Sequence, residues 1–149
     1  MDYEIAAQTD VGTVKKTNQD SIMMKRIFTN LGNMVFAVLC DGMGGLAKGE
    51  LASATVIRAF DKWVNDDLQM ICQNGPGYIK DSVIRAQWES IVANQNQKIK
   101  QYGAGQGVNL GTTVVALLVT DRRYYLMNVG DSRAVSYTHL RAHETRGNL

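Results

Sequence analysis

The chain is nearly without histidine. Its 149 residues include two, His139 and His143, both within the last eleven. Ser-His-Asp and Cys-His catalysis need an imidazole to move the proton, and zinc hydrolases usually draw ligands from imidazole. Unless the last stretch folds back into a site, those chemistries are excluded. What remains is carboxylate and backbone-oxygen chemistry, which suits hard cations such as Mg²⁺ or Mn²⁺. Cysteine is as scarce. Cys40 and Cys72 make neither a disulfide framework nor a zinc site, so a reducing cytoplasm is the default compartment. An excess of one charge is missing too. Sixteen Lys and Arg face 14 Asp and Glu, a net charge of +2, and no strong field draws the chain to nucleic acid or an anionic membrane. The longest apolar runs, Met34–Cys40 and Val114–Val119, have strand length, and the start Met1-Asp2-Tyr3-Glu4 is acidic. Neither a signal peptide nor a membrane span is supported.

With 45% hydrophobic and 20% charged residues, the composition is that of one globular domain. Residues 3–9 read as a first strand and Ser21–Phe28 as a second, with Ile22, Met24 and Arg26 on one face. Turn chemistry over Thr29–Asn33 leads into the buried run Met34–Cys40, which suggests an antiparallel pair. From Ala47 to Leu68 the period becomes helical, through Ala52, Val56, Ala59, Phe60, Trp63, Val64 and Leu68. The only proline, Pro76, sits in a breaker, and a second helix is expected over Ile79–Tyr102. Its apolar side holds Val83, Ile84, Trp88, Ile91, Val92 and Ile99. Gly103–Gly107 reads as a Gly-rich loop, followed by strands at Thr112–Thr120 and Tyr124–Asn128 and a further one from Arg133. Strands, two long helices, then strands argue for an α+β fold.

Three short stretches carry chemistry. Asp41-Gly42-Met43-Gly44-Gly45 follows the most apolar strand. A carboxylate there is costly unless something pairs with it, and the glycines let backbone approach a ligand closely. Two readings stand: a metal held by one carboxylate and one backbone oxygen, or a solvent-facing Asp capping a turn. Gly42–Ala47 also matches G-x-G-x-x-A, with Asp61 about twenty residues on. A dinucleotide site needs that acid to end a parallel strand, whereas Asp61 falls inside the helical period. The second stretch, Gly12–Asp20, holds Lys15 and Lys16, suited to a phosphate as point charges, or simply a solvated turn. The third is Asn128-Val129-Gly130-Asp131-Ser132-Arg133. Asp20, Asp41 and Asp131 each border an expected strand, a setting in which three acids can converge on cations.

Taken in order, Gly12-x-Val14-Lys15-x-x-Asn18-Gln19-Asp20, Asp41–Gly45 with Gly49-Glu50-x-Ala52-Ser53, Gly111-Thr112-Thr113 and Gly130–Arg133 resemble the bacterial branch of the metal-dependent PP2C-type (PPM) serine/threonine phosphatases. The resemblance implies a four-layer α-β-β-α sandwich, of which this chain would form part. It implies that Asp41 bridges two Mn²⁺ or Mg²⁺ ions, that Gly42 ligates through its carbonyl oxygen, that Asp20 joins the same cluster, and that Asp131 serves a third ion. Lys15 takes the place of the family's phosphate-binding Arg, Gln19 that of a frequent Glu, and Met43 that of a histidine in many eukaryotic members. Implied too is hydrolysis of phosphoserine and phosphothreonine by a metal-activated hydroxide. The implied partners are phosphoproteins, a Ser/Thr protein kinase among them, for a cytoplasmic monomer.

The family's catalytic domain is longer and supplies two further metal-binding aspartates, which this chain lacks after Val135. Residues 1–135 are therefore expected to be the N-terminal part of such a domain. Ser136–Leu149, with few large apolar residues and no period, reads as a disordered or non-native tail such as translated adaptor sequence. An incomplete ligand set should bind metal weakly, so the chain as given is expected to show little or no phosphatase activity. A non-catalytic phosphatase-like module that binds phosphoprotein is the alternative.

Overall fold

The computed structural model describes residues 2–8, 18–45 and 48–131, and the backbone of 141–147. Lys15, Lys16, Leu46, Ala47, Ser132 and Arg133 lie outside the described residues.

The apolar run expected at Met34–Cys40 is the centre of a longer strand. β1 (Asp20–Thr29) turns tightly through Asn30 and Leu31 into β2 (Gly32–Gly44), and the two pair antiparallel from Asp20↔Asp41 to Thr29↔Gly32. Three segments then cover one face: α1 (Lys48–Lys62), continued through a π-helical turn at Trp63–Asp67 into α2 (Leu68–Asn74), and α3 (Asp81–Gln106). β3 (Leu110–Thr112) and β4 (Val114–Val119) pair antiparallel with β2, and β5 (Arg123–Val129) pairs antiparallel with β4. β6 (Arg141–Gly147) runs parallel to β5, giving the order β1-β2-β4-β5-β6 with β3 beside β2.

Period-2 alternation decides which side chains meet the helices. Met34, Phe36, Val38 and Cys40 from β2, Val114, Ala116 and Leu118 from β4, and Tyr125, Met127 and Val129 from β5 are buried. They meet the helical stripe of Ala52, Val56, Phe60, Trp63, Leu68, Ile84, Trp88 and Ile99. Four rings form the centre of this core: Phe36 stacks on Phe60 with centroids 5.8 Å apart, and Trp88 meets Trp63 edge-on at 5.6 Å. Trp63 Nε1 donates to Gln87 Oε1 at 2.7 Å, which satisfies its polar end. On the other face Met24, Ala37, Leu39 and Leu117 stay half-buried, and Ile22 and Phe28 are exposed. Of the four layers the resemblance implies, the described residues supply one helical layer and one sheet, an α+β arrangement.

Several boundaries differ from the sequence expectation, each for a physical reason. Residues 2–8 alternate in exposure over Asp2–Ala6 as a strand would, yet join no ladder among the described residues. The expected strand Thr112–Thr120 is interrupted at Thr113, although its register against β2 is unbroken. The expected Gly-rich loop is instead the last turn of α3. Gly103 is buried there because a Cβ would lie 2.6 Å from the Val108 carbonyl oxygen, and the helix ends only at Gly107, whose φ of 64° is left-handed. β6 has no apolar period to announce it; its backbone pairs with the edge of β5, and edge pairing places little demand on side chains. Asp61 lies in α1 and pairs with Lys25 of β1, so it ends no strand and the dinucleotide reading falls. Among the described residues no helix is long and apolar enough to cross a membrane.

Candidate metal centre

Asp20 opens β1 and Asp41 lies near the end of β2, and the register sets them directly opposite one another. Opposed residues in an antiparallel ladder share a face, with Cβ atoms about 4.5–5.5 Å apart. Alternation puts both on the side of Ile22, Met24, Ala37 and Leu39, away from the helices. Both are half-buried. Residues twenty-one positions apart thus bring two carboxylates to one end of one sheet face.

The backbone around the pair is held from three directions. Asp41 N–H donates to Thr113 Oγ1 at 3.1 Å, and Thr113 N–H donates to the Asp41 carbonyl at 2.9 Å. This exchange falls where the β3–β4 strand is interrupted. Asp20 N–H donates to Asn18 Oδ1 at 3.0 Å, an Asx turn leading into β1. Gly42 N–H donates to the Gln19 carbonyl at 3.2 Å, fastening the residues beside each acid together. Beneath them the start of α1 comes as close as backbone allows. A Cβ on Gly42 would collide with the Gly49 carbonyl oxygen, and one on Gly49 would lie 2.6 Å from Met43 N. The glycines that suggested ligand approach are thus also required for packing a helix against a strand.

The other expected site residues are placed as follows. Gly42 is buried and Met43 is 58% exposed at the rim. Gly130 follows β5 with φ of 105° and packs on Thr113, where a Cβ would lie 2.8 Å from Thr113 Cγ2. That puts Asp131, which is exposed, in the turn at the same end of the sheet. Even so, the described residues contain no group of three or more Asp, Glu, His or Cys side chains placed to share an ion. Lys15 lies outside the described residues. Thr113 and Ser53 carry contacts that sequence reasoning did not assign. Ser53 gave one signal, a hydroxyl inside the apolar stripe one turn before Val56.

Chemically, two opposed carboxylates and a nearby backbone carbonyl are hard oxygen donors, which fit a divalent cation of the Mg²⁺ or Mn²⁺ kind. Their two negative charges match one such ion; two ions call for more acid. Covalent chemistry through the neighbouring thiol is disfavoured. Cys40 is buried, burial pushes its pKa up to about 12, and a protonated thiol is a poor nucleophile. Burial also raises the Cys72 pKa.

The family model for protein phosphatase 2C matches residues 12–145. The chain belongs to the protein phosphatase 2C family. A putative protein phosphatase 2C-type of Streptococcus pyogenes is 30% identical over 132 residues, covering 87% of this chain and 48% of that protein. The serine/threonine protein phosphatase PstP of Mycobacterium tuberculosis is 34% identical over 129 residues, covering 86% of this chain and 21% of that protein. Among solved structures, the PstP catalytic domain in complex with two manganese ions is similar with a TM-score of 0.63 at 30% identity, covering 86% of this chain and 48% of that one. The S. agalactiae serine/threonine phosphatase gives 0.64 at 27% identity, covering 85% and 48%. The chain spans about half the length of the first of these relatives and of both solved chains.

Proposed function

We propose that this chain carries the first part of the catalytic domain of a phosphatase that acts on phosphoserine and phosphothreonine in proteins and depends on Mn²⁺ or Mg²⁺. The observation that carries the reading is the register pair Asp20↔Asp41 at one sheet end, within the stretch that matches the family. Asp20 and Asp41 would hold the ion pair through their carboxylates and Gly42 through its carbonyl, with Asp131 at a third, peripheral ion. Lys15 would offset charge on the phosphoryl oxygens as a point charge. When bound, such ions supply Lewis acidity and bring the pKa of water to about 7. The chain's part is to fix the two acids on one rigid ladder, so that little reorganisation is left for the reaction itself. The substrates in this reading are phosphoproteins, a Ser/Thr protein kinase among them, met by a monomer in the cytoplasm. In this reading residues 1–135 belong to the phosphatase part; the family match runs on to residue 145, and the backbone of 141–147, expected as a tail, pairs with β5.

Charge sets the level of activity expected from the chain as given. Two divalent ions bring four positive charges, and Asp20, Asp41 and Asp131 offset at most three. The 149-residue chain should therefore bind Mn²⁺ and turn over a phosphothreonine peptide slowly or not at all. At a hundredfold excess over its Kd, Mn²⁺ should raise stability by about 2.7 kcal/mol. Thermal melts with and without Mn²⁺ read this directly, and Asp41→Asn should remove the shift. Equal Mn²⁺ protection of wild type and Asp41→Asn would refute the site. Brisk Mn²⁺-dependent hydrolysis by wild type would refute the incomplete ligand set.

One observation favours a second reading, a non-catalytic module: among the described residues no third acid joins the pair. Phosphopeptide binding that is indifferent to Mn²⁺ and to Asp41→Asn would decide for it.

A further inference from the structure

We infer that Ser53 and Gln19 are positioning residues that set the geometry of the Asp20–Asp41 pair from beneath the sheet. The inference rests on the metal site proposed above. Ser53 is fully buried on α1, on the helix side of the ladder, directly behind the acids. Its Oγ lies 2.9 Å from the Gln19 carbonyl and 2.9 Å from Ser21 Oγ. These are the residues before and after Asp20. One hydroxyl has one proton, so the consistent arrangement is Ser53 donating to the Gln19 carbonyl and accepting from Ser21. The Glu50 carbonyl, 3.1 Å away, is the ordinary within-helix alternative for that proton. Choosing Gln19 anchors the chain immediately before β1, next to the residue whose acid emerges on the opposite face.

Gln19 completes the tie in the other direction. Its Nε2 donates to the Gly44 carbonyl at 2.9 Å, beyond Asp41 on β2, while its own carbonyl accepts from Gly42 N–H as well as Ser53. Its Oε1 rests against Gly49, where a Cβ would displace it. The amide nitrogen is thus spent on the Gly44 carbonyl, while the amide oxygen packs against Gly49. A glutamate at this position would lose the N–H donor and set a negative oxygen against the Gly44 carbonyl. Gln19 therefore serves the pair as a strap, with its side chain directed to Gly44 and Gly49.

Ser53→Ala and Gln19→Met keep approximate size and remove the polar contacts. Removing groups that orient metal ligands typically weakens metal affinity by about 10–100-fold. The test is calorimetric titration of the full chain with MnCl₂, beside far-UV circular dichroism and melting in EDTA. Both variants should stay folded in EDTA and bind Mn²⁺ at least about tenfold more weakly than wild type. A purely structural role would lower the melting point and leave the Mn²⁺ affinity of the folded protein unchanged, and that result overturns the inference. Should Ser53→Ala fail to fold, Gln19→Met decides alone, because Gln19 is only half-buried. Gln19→Glu adds a discriminating arm: tighter Mn²⁺ binding than wild type would show position 19 reaching the ion and would overturn the strap. Absence of Mn²⁺ binding by wild type defeats the site itself. Normal binding lost in Asp41→Asn but kept in both positioning variants defeats this inference alone.

Discussion

Gly49→Ala sets two effects of known size against each other. Gly49 is the second residue of α1 and has no left-handed φ, so alanine is conformationally allowed there. Helix propensity alone then favours alanine by up to about 1 kcal/mol. The packing says the reverse. An added Cβ would sit 2.6 Å from Met43 N and 2.7 Å from the Gly42 carbonyl carbon, besides colliding with Gln19 Oε1. Two of these three neighbours are backbone of β2, next to Asp41, and cannot swing aside. Forcing a methyl into a packed seam costs about 1–3 kcal/mol. Against rigid backbone under 3 Å away the upper half of that range applies, so about 2–3 less about 1 leaves sterics ahead by about 1–2 kcal/mol. For a domain of this size that lowers the melting temperature by roughly 2–8 °C. Gly105→Ala is the control. Gly105 is also helical, in α3, but nothing lies within 4 Å of its Cβ position. There propensity acts unopposed, and stability should rise by up to about 1 kcal/mol. Urea or thermal melts of the three proteins read both signs. A Gly49→Ala protein as stable as wild type, or more so, would refute the close helix–strand contact beneath the acids.

The remaining tests address the core and alkaline pH. Phe60→Ala removes a fully buried ring stacked on Phe36, and should cost about 3–5 kcal/mol in a urea melt; a loss below about 1 kcal/mol would contradict the four-ring core. Tyr125 is pushed up from 10.0 to about 12, chiefly by burial and then by the Asp81 charge, against the nearby Arg123. Its folded-state pKa is raised, so its contribution is complete below pH 10 and is lost as pH rises toward 12. Tyr125→Phe should flatten the fall in stability over that window, and an unchanged slope between the two proteins would refute the assignment.

The fold was legible wherever a period ran long enough. Met34–Cys40 and the stripe from Ala52 to Leu68 state their elements because burial on one side repeats at 2 or 3.6 residues. What escaped depends on contacts between distant residues. Gly103 looks like loop chemistry until the Val108 carbonyl is seen to occupy the space of its missing side chain. Residues 141–147 gave no signal because a strand recruited onto an edge needs backbone and little else. The interruption at Thr113 was invisible because its cause is Asp41, seventy-two positions away.

The site divides along the same line. Asp20, Asp41 and Gly42 were marked by residue type beside expected strand ends, and the ladder needs only a tight turn at Asn30–Leu31 to oppose the two acids. Gln19 and Thr113 were visible only as letters in a motif, and Ser53 additionally as a hydroxyl within an apolar stripe, since their work is hydrogen bonding across the fold. The register also decides where further ligands would have to enter. The helices occupy the face behind the acids, and the carboxylates emerge on the half-covered apolar face that carries Ile22, Met24 and Leu39. If the centre holds two ions, the additional acid must approach across that open face, because the Ser53–Gln19–Gly49 seam closes the other. A surface of exposed and half-buried aliphatic side chains bordered by two carboxylates is poorly suited to bulk water. It is well suited to a layer that brings both apolar cover and acid.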